Sequence, residues 1–224
     1  MPYPCFLLAP VPQIDVKLRR YTHWNSPGNW TCAGGWHEAR TPLAIVDRPL
    51  RNYPAEEENW NDWDKMIDAL RPPKEDPRWP RHCSHCDYEF NDADEWQVFT
   101  DRLMARSDQA GALTTIRDAP IGAMWFAWWY KSSKRDNGLY GFDWDNQAGP
   151  DLIVKTPGGQ WNIDSRASNC TLPKDRLHRC WVRHGFAPKI HVDKNGRTCG
   201  AGAGSIVCGK YHGFLRNGSL TDGC

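Results

Sequence analysis

Apolar residues along this chain recur in short groups separated by turn formers, and their spacing changes part-way. Val11, Ile14, Val16 and Leu18 lie in a proline-punctuated opening over residues 1–30, which predicts an extended arm with at most a short strand. Residues 56–70 place Trp60, Trp63, Met66 and Leu70 near one face of a short helix. Residues 92–106 carry the strongest helical pattern: Trp96, Phe99 and Leu103 recur at i, i+3 and i+7, and Asp92 with Glu95 resembles a capping box. Beyond them the period shortens. Residues 124–130 form an aromatic run that reads as core or interface. Residues 152–155 and 160–163 flank Pro157-Gly158-Gly159 as a hairpin. A second hairpin is expected to join residues 189–192 to the segment after Asn195-Gly196, and a third to turn at Asn217-Gly218. The expected class is therefore α+β. Residues 1–118 would form an irregular, zinc-stabilised N-terminal part with an arm, a knuckle and one or two short helices; residues 119–224 would be mostly antiparallel β.

Composition narrows the classes. The 224 residues include 13 Trp, 9 Cys, 17 Pro and 19 Gly, too aromatic for a disordered chain and suited to short elements joined by many turns. A formal net charge of +1 argues against a dedicated nucleic-acid or anionic-membrane binder. No apolar run approaches the ~20 residues of a membrane span. Nine is an odd number, so disulfides alone cannot use every cysteine. The opening Met1-Pro2-Tyr3-Pro4-Cys5-Phe6-Leu7-Leu8 lacks the basic and apolar regions of a secretory signal. Synthesis in a reducing cytoplasm is the expectation, and that favours thiols and metal sites over disulfides.

The sharpest local motif is His82-Cys83-Ser84-His85-Cys86. Cys-x2-Cys puts two thiolates on one turn, two corners of a tetrahedral zinc site. Its complement is Cys32-Ala33-Gly34-Gly35-Trp36-His37, a Cys-x4-His whose paired glycines permit a tight turn. Cys32, His37, Cys83 and Cys86 would make a closed Cys3His zinc site, structural because no position is left for water. Free buried thiols or a Cys-x2-Cys redox pair are the alternatives, and His82 and His85 are competing ligands. Farther on, Cys180-Trp181-Val182-Arg183-His184-Gly185-Phe186 and Cys208-Gly209-Lys210-Tyr211-His212-Gly213-Phe214 echo each other as Cys-x3-His-Gly-Phe. Such halves could build a second metal site, while nearby Cys170 and Cys199 could supply a disulfide instead.

One further pattern bears on catalysis. Ser205 ends a run of small residues from Gly200, and His212 follows seven residues later, so a nucleophile–base pair across a hairpin is conceivable. No GxSxG elbow is present, and the glycine run lacks a Walker lysine. The plainer reading is a glycine-rich strand with an aromatic ring packed on bare backbone.

Pro4-Cys5-Phe6-Leu7-Leu8, Asp76-Pro77-Arg78-Trp79-Pro80, residues 164–170, the segment from His178 to Gly185, and residues 191–206 with Tyr211-His212-Gly213-Phe214-Leu215 carry a resemblance over most of the chain. Together they resemble an uncharacterised family of tailed-bacteriophage proteins. The last thirty residues are also similar to a Ser-Ile…His-Phe pattern in a domain of bacterial ubiquitin-like conjugation operons, for which a serine-peptidase role is proposed. That likeness implies Ser205 as nucleophile and His212 as base, with Ala203-Gly204 where the pattern has Ser-Pro. The leading expectation is a non-enzymatic, zinc-stabilised phage structural or accessory protein. It would be made in the host cytoplasm, become virion-associated, and bind other virion proteins or copies of itself. The alternatives are a Ser205/His212 hydrolase of peptide or isopeptide bonds, and a zinc-binding host-takeover adaptor.

Overall fold

A computed structural model describes residues 2–23, 29–48, 65–127, 152–167, 169–172, 174–175, 178–195, 199–201 and 204–223. It is almost entirely β, with 46% strand and 4% helix and no helix of seven residues or more among the described residues, which overturns the expected α+β class. The strands are β1 Tyr3–Pro4, β2 Phe6–Tyr21, β3 Glu38–Asp47, β4 Glu95–Arg106, β5 Leu113–Thr115, β6 Ala123–Phe126, β7 Leu152–Thr156, β8 Gly159–Asn162, β9 Val182–His184, β10 His191–Asp193, β11 Ile206–Cys208, β12 Tyr211–Arg216 and β13 Ser219–Asp222. One sheet has the order β5-β4-β2-β6-β7-β8 with β3 on β2, a second the order β1-β13-β12-β11, and β9 pairs β10.

The expected arm is β2, sixteen residues of strand. Phe6, Leu8, Ile14, Val16, Leu18 and Arg20 are all buried at even positions, the period of two that a strand imposes. Its parallel register with β6 covers Phe6 and Leu7, and its antiparallel register with β3 begins at Gln13. Pro10 and Pro12, which lack a ladder donor, fall between these two stretches.

The helix expected over residues 92–106 is instead β4. Trp96, Val98, Phe99 and Thr100 are strand formers, and tertiary pairing outweighs the helical spacing. The expected capping box does not form: Asp92 accepts from Lys74 Nζ at 2.8 Å and Glu95 opens β4, while their neighbours build a turn in which the Ala93 amide donates to Asn91 Oδ1 at 2.9 Å and the Asn91 amide to Asp94 Oδ2 at 2.8 Å. Of the other expected helix, residues 56–64 lie outside the described residues, and residues 65–68 form a single helical turn.

The chain divides into two compact units. The first comprises Met1–Pro10, Arg51–Ala55 and Met104–Cys224, the second Val11–Leu50 and Glu56–Leu103. In the first unit β6 and the first three residues of β7 are buried on both faces, hence the apolar runs Ala123–Phe126 and Leu152–Val154. Met124, Leu152 and Val154 pack with Trp161, Ile190, Ile206, Leu215 and Leu220. Ala123, Trp125 and Ile153 pack on the opposite side with Phe6, Leu8 and Met104. The β7–β8 hairpin turns at Pro157-Gly158 with Thr156 paired to Gly159. The β12–β13 hairpin turns at Asn217 and Gly218, whose φ values of 50° and 76° are those of a type I′ turn. For the remaining expected hairpin, β10 pairs with β9 among the described residues, His191 opposite His184, and residues 196–198 lie outside them. One apolar cluster of the second unit gathers Cys32, Ala39, Cys83 and Phe90, with Cys86 and Tyr88 packed against it.

Candidate metal centres

The second unit brings Cys32, His37, Cys83 and Cys86 together, with one ligand atom from each lying within 4.8 Å of all the others. Two local turns present them. After a 3-10 turn at Asn29–Thr31, the Gly35 amide donates to the Cys32 carbonyl at 2.9 Å, and Gly35 takes the left-handed φ of 80° that favours glycine. A Cβ on Gly34 would lie 2.7 Å from His85 Cδ2, so that position has no room for a side chain as the ring stands. The other turn is a hairpin knuckle: the Cys83 amide donates to the Tyr88 carbonyl (2.9 Å), and the Phe90 amide to the Arg81 carbonyl (2.8 Å). His82 pairs with Glu89 in an isolated bridge, and neither His82 nor His85 joins the ligand set.

Backbone bonds knit the two turns. The Glu38 amide donates to Cys83 Sγ at 3.4 Å, and the Ser84 amide returns a bond to the Glu38 carbonyl at 2.9 Å. The Glu38 carboxylate is buried between Arg19 (2.5 Å) and Arg40, with Trp36 Nε1 donating at 3.0 Å, which holds the start of β3 in place. His37 stacks on Tyr88 with centroids 4.0 Å apart and planes 9° from parallel.

The separations suit a tetrahedral ion. Cys32 Sγ is 3.8 Å from Cys83 Sγ and 4.0 Å from Cys86 Sγ, and His37 Nδ1 is 3.2 Å from Cys86 Sγ. Ligand bonds of about 2.3 Å at tetrahedral angles place sulfurs roughly 3.8 Å apart. Cys83 is also prepared as a thiolate. Burial raises its pKa, but the His85 and Glu38 amides, with His37 and Cys32, outweigh that and bring it down to about 6. Burial pushes the Cys32 thiol the other way. Metal–thiolate bonding removes such a difference, since a bound thiol is deprotonated outright.

The C-terminal echo does not assemble as its sequence implied. Cys180 joins Cys170, His178 and Cys199 in a second group whose ligand atoms also lie within 4.8 Å of one another. Cys208 Sγ instead lies 3.5 Å from the Gln160 carbonyl, and His184 Nε2 bonds Asp193 Oδ1 at 2.8 Å. His178 is the ligand-type residue that spacing missed, although His178-Arg179-Cys180 places two ligand types two residues apart. Both groups are largely buried and could hold a metal ion. All cysteines among the described residues are free thiols.

Ser205 and His212 lie on either side of the β11–β12 hairpin. Register places His212 opposite Val207, His212 is exposed, Ser205 precedes β11, and no hydrogen bond joins the two. Gly202 and Ala203 lie outside the described residues. No helix among the described residues is long and apolar enough to cross a membrane. In comparisons with known proteins, no family model, no curated protein and no solved structure matches the chain.

Proposed function

We propose that this chain is a non-enzymatic structural or accessory protein of a bacteriophage particle, folded around a zinc ion and bound to other virion proteins. The observation that carries the zinc-stabilised part is the convergence of Cys32, His37, Cys83 and Cys86, four protein ligands from two backbone-bonded turns. Three thiolates and one imidazole at tetrahedral spacing suit zinc, and a site with four protein ligands has no position at which water could be activated. Such an ion ties together two turns whose own apolar cluster is small. The virion part rests on the sequence resemblance to tailed-phage proteins.

Peptide mass spectrometry of intact, purified particles of the encoding phage tests the assignment. The chain is expected at a fixed copy number per particle. Its absence from intact virions, with abundance in the infected-cell lysate, overturns it in favour of a host-directed adaptor.

A further inference from the structure

We propose that Cys170, His178, Cys180 and Cys199 form a second structural zinc site, independent of the first and of any role in a virion. The stretch from Ile163 to Ala201 needs such a device: its described residues contain only two three-residue strands, β9 and β10, yet Cys180 is fully buried and His178 nearly so. The four ligands come from three separate places in that stretch. They are the loop before His178, the segment entering β9, and the segment leaving β10, in the pattern Cys-x7-His-x-Cys-x18-Cys.

The geometry favours a metal over a disulfide. Cys180 Sγ lies 3.5 Å from Cys199 Sγ and 3.6 Å from His178 Nε2, close to tetrahedral edges around one ion and far from the ~2.05 Å of an S–S bond. A disulfide would engage two sulfurs and leave a third thiol and an imidazole converging for nothing. The sulfurs are also bonded as metal thiolates are. The Leu172 amide donates to Cys170 Sγ and the Ala201 amide to Cys199 Sγ, each at 3.4 Å and each from two residues onward. Cys83 is served in the same way by His85 in the first centre, so the same local turn recurs at both centres. Around the group, Gly200 N donates to Thr171 Oγ1 (2.9 Å) and Cys170 N to the Ala167 carbonyl (3.1 Å), fixing two of the ligand loops.

The test is native mass spectrometry of the full chain purified with reductant and zinc. Wild type is expected to carry two zinc ions, and Cys180→Ala and Cys83→Ala one each. Where Cys180→Ala leaves too little folded protein, His178 supplies the second arm. His178→Cys keeps four ligands and two ions, whereas His178→Ala keeps one. A wild-type protein with one zinc that Cys83→Ala abolishes and His178→Ala retains overturns the second site while leaving the first intact. A Cys180–Cys199 disulfide found by alkylation mapping of the same reduced preparation overturns it too.

Discussion

Replacing Cys83 by alanine removes more than one ligand. Its sulfur accepts the Glu38 and His85 amides, and Glu38 is buried with its carbonyl already bonded to Ser84. A buried donor left without an acceptor costs about 1–3 kcal/mol, which applies to the Glu38 amide, while the amide of exposed His85 can turn to water. The metal adds a larger loss, since structural zinc contributes on the order of 10 kcal/mol of binding free energy. Against a typical total of about 5–15 kcal/mol, that unfolds the second unit. Hydrogen exchange read by mass spectrometry localises the effect. Amides of β3 and of the knuckle from Arg81 to Phe90 should lose protection in Cys83→Ala, and in wild type treated with a strong chelator. Cys208→Ala, which removes a thiol outside both ligand sets, should leave that region unchanged. Wild-type protection in Cys83→Ala, or no response to chelator, would refute the reasoning.

Two other buried polar groups give independent checks. Asp164 is 2% exposed, pairs with Arg183 at 2.9 Å and accepts the Leu152 amide at 2.9 Å; Asp164→Ala strands a largely buried guanidinium and should cost about 3–5 kcal/mol in denaturant unfolding. A loss below about 1 kcal/mol would show that the pair contributes little. Arg20 donates to the Pro80 and Asn91 carbonyls from between the rings of Trp79 and Phe90. Arg20→Lys keeps the charge but not the planar fork, so it should lower the melting temperature of the second unit nearly as much as Arg20→Ala; full rescue by lysine would contradict the assigned contacts.

How legible each feature was depends on how local its cause is. The Pro157-Gly158-Gly159 and Asn217-Gly218 turns are dictated by a few residues whose φ values the sequence restricts, and both hairpins are present. Cys-x2-Cys and Cys-x4-His are each one turn long, so their ligand chemistry shows in the sequence, and the structure places the two turns side by side. β4 was illegible because Trp96, Phe99 and Leu103 fit a helical face as well as a strand, and only pairing with neighbouring strands separates the two. The prolines that made β2 read as an arm sit where neither β3 nor β6 needs their amides. The second ligand set draws its residues from three loops, and the Cys-x3-His-Gly-Phe echo pointed away from His178.

Both ligand sets are Cys3His, which makes zinc K-edge X-ray absorption the most direct test of a chain held together by closed thiolate centres. The reduced, zinc-loaded protein is expected to show an average of three sulfurs at about 2.3 Å and one nitrogen at about 2.0 Å per ion, with no oxygen shell. A water-type oxygen in the first shell, a sulfur count of two or fewer, or zinc that washes away in buffer would contradict it.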